Sequence, residues 1–291
     1  MTYFSLISTP FKKVKIKYYV GFMKKISSID EYKKQVRNKK LFILIWQLSI
    51  FIIFICAWEV STKLKLIDSF LISSPSAITS LFFEYALNNT LWPHIYISVM
   101  ETILGLFIGT TLGFIIATIL YLFPTISKIL DPYLIVLNAL PKTALAPILI
   151  IWAGTNIKGI VVVSISLSIV VTIISMLSYF KNVDENLIKM MKTMSANKLQ
   201  ILFKVVYPSN IDNILSVIKV NIGMSWVGVI VGEFLVSREG IGYLVVYGGQ
   251  VFKLDLVLMG VFILAIIALI MYQMVNIIEW LINKKRNKIH K

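Results

Sequence analysis

Ionisable side chains stand inside stretches that are otherwise apolar, among them Glu101, Lys142, Lys219 and Glu233. Placing such a group at the centre of a bilayer costs about 2.5–3.5 kcal/mol, so each is expected to face a partner or a wet interior. Lys142 is the most telling. It lies in LPKTALAPILIIWAG at 140–154, between Pro141 and Pro147. Each proline removes a backbone donor, and two interruptions so close together are tolerated where the freed backbone is buried in protein or lines a cavity. A cation there suits an anionic solute, or it pairs with Glu101 or Glu233 for structure; the residue types leave both readings open. Asn138, Asn221 and Trp226 could line the same path or fill a core. Lys219, nearer the end of its apolar run, is expected to snorkel.

Other chemistry has little to stand on. Cradling nucleotide phosphates requires a glycine-rich loop ending in Gly-Lys-Ser/Thr. The nearest spacing, Gly154 to Gly159, continues into Ile160 and Val161. His94 and His290 are far apart and flanked by no carboxylate cluster, so neither a metal nor an acid–base site is expected. The single cysteine, Cys56, sits in an apolar run; it can form no intrachain disulfide and is expected in a core. No enzyme activity and no bound cofactor are expected of this chain.

The elements that position these residues follow from composition. Of 291 residues, 58% are hydrophobic and only 15% charged, with a mean hydropathy of +0.84; the chain is expected to be an all-α integral membrane protein. Six apolar segments approach the roughly 20 residues needed to cross a bilayer, near 41–60, 95–122, 133–153, 158–179, 212–235 and 256–282. Backbone groups in lipid need internal partners, so these are helices. No short apolar core with a cleavage site appears near the start, and the first span is expected to stay attached. Of 29 Lys and Arg, 22 fall in the N-terminal stretch, 122–132, 180–211 and the C-terminal tail. Both termini and the 180–211 segment are therefore expected on the cytoplasmic side. The division is a basic cytoplasmic segment at 1–40, a membrane domain at 41–282 and a basic tail at 283–291. The net charge of +15 then belongs to topology and the lipid surface, not to nucleic acid.

One polar module interrupts this pattern at 184–208, DENLIKMMKTMSANKLQILFKVVYP. Leu187, Met190, Met191 and Met194 recur at helical spacing, as do Leu199, Leu202, Phe203 and Val206. Asp184 and Glu185 suit a helix N-terminus, and Asn197 with Gln200 has the spacing of a capping box. A helix–turn–helix is predicted, either lying on lipid or docking into a groove on a soluble partner. Gly105, Gly109 and Gly113 form a small-residue stripe that lets a neighbouring helix approach closely, within one chain or between two.

The 184–208 module resembles the cytoplasmic coupling loop of ABC-importer permeases. Lys189, Met190 and Met191 stand at that pattern's Glu-Ala-Ala positions, Ser195 followed by Ala196 at its Gly, and Pro208 at its Pro. PSAI at 75–78, with Leu91, His94 and Ser98, is similar to the nitrate, sulfonate, taurine and bicarbonate branch of these permeases. So are the 140–154 stretch, SWVGVIVGEF at 225–234 and GIGYL at 240–244; Glu101 stands where that branch commonly has Arg. The resemblance implies a type I importer fold in a bacterial cell membrane and a pair of permease subunits, most simply two copies of one chain. It further implies two cytoplasmic ATPases carrying ATP and Mg, and an extracytoplasmic solute-binding protein. The function implied is a path for a small, anionic solute opened by alternating access. A secondary transporter would instead show paired broken helices in two related halves, and a membrane anchor would carry no solute.

Overall fold

A computed structural model of the chain describes residues 29–67 and 72–289. The basic stretch up to residue 28 and His290 lie outside the described residues. Two compact units divide at Leu64 and Lys65. The first consists of α1 (Ile29–Lys63), apolar from Leu41 onward. Cys56 is exposed on it, so the core position expected for this thiol is corrected: on a membrane-spanning helix an apolar side chain needs no core to be kept from water.

In the second unit, α2 (Pro75–Leu87) begins at Ser74, whose hydroxyl accepts from the Ala77 N–H at 3.2 Å, with Pro75 in the first turn where no N–H is needed. There follow α3 (Leu91–Leu122), α4 (Pro124–Ala139), a 3₁₀ turn (Lys142–Leu145), α5 (Ala146–Ala153) and α6 (Ile157–Lys181). After a polar connection come α10 (Ile211–Val236), α11 (Ile241–Gln250) and α12 (Leu254–Ile289). Among the described residues five helices are long and apolar enough to span a membrane, and six if the bent pair α4 and α5 counts as one.

That pair corrects the third predicted span. In place of a run at 133–153, a helix starting at Pro124 ends at Ala139, and the chain turns by 85° before continuing to Ala153. The break occurs at Leu140 and Pro141, in keeping with the restriction a proline places on its own φ and on the residue before it. Pro147 is no second break: it sits in the first turn of α5, where its missing donor would be unpaired in any case.

The centre of the unit is α6, packed between α3 and α10. Contact this close depends on side-chain size. A Cβ on Gly105 or Gly109 would lie 2.1 Å from the Oγ of Ser164 or Ser168, and one on Gly113 2.6 Å from Cβ of Thr172. On the opposite flank a Cβ on Gly228 would lie 2.4 Å from the Ser164 Cα. The small-residue stripe thus serves packing inside one chain. Its hydroxyls are satisfied locally: Ser168 donates to the Ser164 carbonyl at 3.1 Å and Thr172 to that of Ser168 at 2.8 Å. Asn221 of α10, fully buried, donates to Thr172 of α6 at 2.7 Å and to Thr110 of α3 at 2.9 Å, joining all three helices.

Lys219 does not snorkel. It forms a salt bridge with Glu279 of α12 and lies 5.5 Å from the centre of the Tyr272 ring. A carboxylate within reach on the next helix neutralises the cation where it stands, which removes the reason for the side chain to seek water.

Candidate functional site

Two polar constructions stand at opposite ends of α6 and α10. At the end where α6 finishes and α10 begins, α7 (Glu185–Thr193) starts with Asp184 accepting from the Asn186 N–H at 2.8 Å. It stops in a hydrogen-bonded C-cap: Ser195 N–H donates to the Lys192 carbonyl and Ala196 N–H to that of Met191, each at 3.0 Å. Such a cap requires a left-handed residue, and Ser195 takes it with φ of 57°. The usual glycine there is absent, yet the turn forms. Ser195→Gly is expected to relieve about 1 kcal/mol of backbone strain and to raise the thermal midpoint of the purified chain; a lower midpoint would contradict this account of the turn.

The next helix, α8 (Lys198–Ile201), opens with a reciprocal capping box: Gln200 N–H donates to Asn197 Oδ1 at 2.8 Å and Asn197 N–H to Gln200 Oε1 at 2.9 Å. It runs into a π-helical stretch at Leu202–Val206 and the short α9 (Tyr207–Ser209). In a regular turn the Pro208 ring would meet the carbonyl four residues back, and the widened stretch immediately before it removes that clash.

The apolar residues of this segment divide between two directions. Leu202 and Val206 are buried in a cluster with Met176, Phe180 and Val217, and Ile188, Met191 and Ala196 pack against it. The Tyr207 ring lies 5.1 Å from Phe114 and 5.6 Å from Phe180, and its hydroxyl is 2.9 Å from Thr118 Oγ1. Leu187, Met190, Met194, Leu199 and Phe203 instead stand exposed, Met190 by 52%, Phe203 by 62% and Met194 by 72%. The single stripe predicted for α7 is therefore corrected, because Met191 points into the bundle while Met190 and Met194 point out. Lys189 pairs with Glu185 at 3.0 Å on the exposed side.

At the other end, Glu233 near the close of α10 fills the N-terminus of α11. Its Oε1 accepts from Ser98 Oγ and its Oε2 from the Gly242 N–H, each at 2.5 Å. Ser98 in turn accepts from the Ile241 N–H at 2.8 Å, and His94 Nδ1 accepts from the Gly240 N–H at 3.0 Å. First-turn N–H groups favour an anion at this place. Gly240 has φ of 104°, and a Cβ on it would lie 2.4 Å from the Glu233 carboxyl carbon. This explains why Glu233, Gly240 and Gly242 occur together. Sequence reasoning noted His94 and Ser98 without a role; their spacing from Glu101, at i, i+4 and i+7, was the available signal that one face of α3 serves this junction.

The remaining candidates are dispersed. Glu101 and Trp226 are buried within the chain, with Trp226 Nε1 unpartnered among the described residues. Asn138, Pro141 and Pro147 are exposed on the bent pair. Lys142 is partly buried, and among the described residues its ammonium meets Asn138, at 3.4–3.5 Å, and not Glu101 or Glu233.

Comparison with known proteins gives a consistent result. The family described as "binding-protein-dependent transport system inner membrane component" matches residues 109–284. A probable ABC transporter permease protein of Haemophilus influenzae is 28% identical over 227 residues, covering 78% of this chain and 91% of its own. A putative aliphatic sulfonates transport permease protein of Bacillus subtilis is 27% identical, covering 81% and 85%. The taurine transport system permease protein of Escherichia coli is 26% identical, covering 74% and 79%.

Proposed function

The chain belongs to the family of binding-protein-dependent transport system inner membrane components, and from that premise we propose how its parts divide the work of an ABC importer permease. The observation that carries the reading is the exposed apolar group Leu187, Met190, Met194, Leu199 and Phe203 on a firmly capped two-helix segment. Such a group docks into a groove on a cytoplasmic ATPase, as an amphipathic helix does in its receptor. The lysine and arginine distribution supports placing this segment and both termini in the cytoplasm. ATP and Mg belong to the ATPase pair, since no phosphate-binding loop occurs in the sequence.

Docking at one end becomes movement at the other through packed contacts. Tyr207 and the buried Leu202 and Val206 hold the segment to Phe114 of α3 and Phe180 of α6. With glycine-close packing, α3, α6 and α10 move as one body when the ATPases close. The path lies between two copies of the chain. Lys142 and Asn138 stand beside the 85° bend between α4 and α5, and this polar pair on a membrane segment supports a path there. The solute is a small molecule with an anionic group, such as a sulfonate, taurine, nitrate or bicarbonate, delivered by an extracytoplasmic binding protein. Relatives named for aliphatic sulfonates and for taurine support that class.

The test is reconstitution in vesicles with the ATPase and binding protein, following uptake of labelled solute. Uptake is expected only with ATP inside the ATPase compartment; uptake on an ion gradient without ATP would indicate a secondary transporter instead.

A further inference from the structure

Where α6 ends and α4 begins, the two helices enclose a pocket of about 270 Å³. Each helix gives it one face: Asp131 and Leu134 line it from α4, and Ile174, Leu177, Ser178 and Lys181, at i, i+3, i+4 and i+7, line it from α6. Lys181 stands in the last turn of α6, a helix long and apolar enough to span a membrane. Ile174 lies seven residues earlier, about 10 Å deeper along the axis at 1.5 Å per residue. The pocket is therefore layered, with Asp131, Ser178 and Lys181 at the membrane boundary and leucine and isoleucine on the hydrocarbon side. Its two charges do not neutralise each other. The Lys181 ammonium donates to Ser127 Oγ at 3.0 Å, and among the described residues the Asp131 carboxylate pairs with no cation.

We propose that this pocket binds the headgroup of an amine-bearing phospholipid, phosphatidylethanolamine, with its phosphate on Lys181 and its ammonium on Asp131. The first acyl carbons then lie along Leu134, Leu177 and Ile174, so the order of the lining matches the order of groups in the lipid. Basic pockets between spanning helices recognise lipid headgroups. The carboxylate narrows the class. A purely anionic headgroup would set its charge beside Asp131 and leave that carboxylate unpaired, and a trimethylated amine has no N–H to donate to it. A primary ammonium donates three hydrogen bonds. A free solute with the same two charges would make no use of the apolar floor.

The purified full chain is placed in phosphatidylcholine nanodiscs in which a growing share of the lipid is phosphatidylethanolamine, and its thermal midpoint is followed. A saturating rise is expected, larger than that given by the same share of phosphatidylglycerol. The share needed for half of the rise should increase about fivefold in Asp131→Asn and in Lys181→Gln, the upper range for a charge pair open to water. Ser178→Trp fills the pocket while leaving both charges in place, and should abolish the rise. Taurine, a soluble molecule with an anion and an ammonium, should leave the midpoint unchanged. No rise with phosphatidylethanolamine, as a second copy covering the pocket would give, overturns the lipid site. So does a rise unchanged in all three variants, which is an effect of the bulk bilayer, or a rise matched by phosphatidylglycerol, which marks a site for anions alone. A rise with taurine that is lost in Asp131→Asn would make the pocket a solute site and overturn it as well. None of these readouts involves ATP or uptake, so the outcome is independent of the transport assignment.

Discussion

The double substitution of Met190 and Met194 by aspartate is expected to abolish ATP-driven uptake in a permease that remains folded. Both side chains are exposed, by 52% and 72%, on the outward side of α7, so charge there costs the isolated chain little. Once docked, each carboxylate would have to leave water for an apolar groove without a compensating cation, at about 1–3 kcal/mol by mutational scales. Two such penalties weaken docking about thirtyfold to twenty-thousandfold. ATPase stimulation and solute uptake are the measurements, with the thermal midpoint as control. Uptake within twofold of wild type at an unchanged midpoint would remove the docking role of this face. Met191→Asp is a poorer probe, because Met191 packs against the buried cluster and its loss would mix folding with docking. Lys189→Ala should do little, since its pair with Glu185 is fully on the surface.

The second large effect concerns the packing of α6 on its neighbours, and here geometry separates three glycines of the same chemistry. A Cβ on Gly109 would meet Ser168 Oγ at 2.1 Å but Ser168 Cβ only at 3.3 Å. Removing the hydroxyl removes the clash. Gly109→Ala should therefore destabilise the chain by about 1–3 kcal/mol, and adding Ser168→Ala should restore most of that loss. A Cβ on Gly105 would lie 2.6 Å from Ser164 Cβ, and one on Gly228 2.4 Å from the Ser164 Cα. Truncating Ser164 to alanine leaves both atoms in place, so neither Gly105→Ala nor Gly228→Ala should be rescued. Thermal midpoints and yields of monodisperse protein for singles and doubles decide the matter; equal rescue at all three positions would show that the helices separate freely.

Much of this architecture could be read from residue order. Apolar length determined the spans, because a helix needs a minimum run of residues to cross hydrocarbon and nothing in lipid replaces its backbone partners. The Asn197–Gln200 capping box and the Asp184 cap were legible because their partners lie within three residues. The glycine stripe was legible as a close-packing face, though not its partner. The third span was read too short and with one break too many: the interruption at Pro141 is present, Pro147 opens the following helix, and the mixed sequence at 124–132, which the apolar count passed over, is helical.

By itself, then, the sequence determined what short-range physics controls: membrane class, span positions, caps, and a polar module set between apolar runs. Only the tertiary structure decided which faces meet. Lys219 with Glu279, Ser98 with Glu233, and Gly109 with Ser168 are separated by 59 to 135 residues in the chain. No local period encodes such pairings, because they follow from how whole helices pack. The same packing turned Met191 inward and left Met190 and Met194 outward, and it placed Glu101 beside the Glu233 carboxyl.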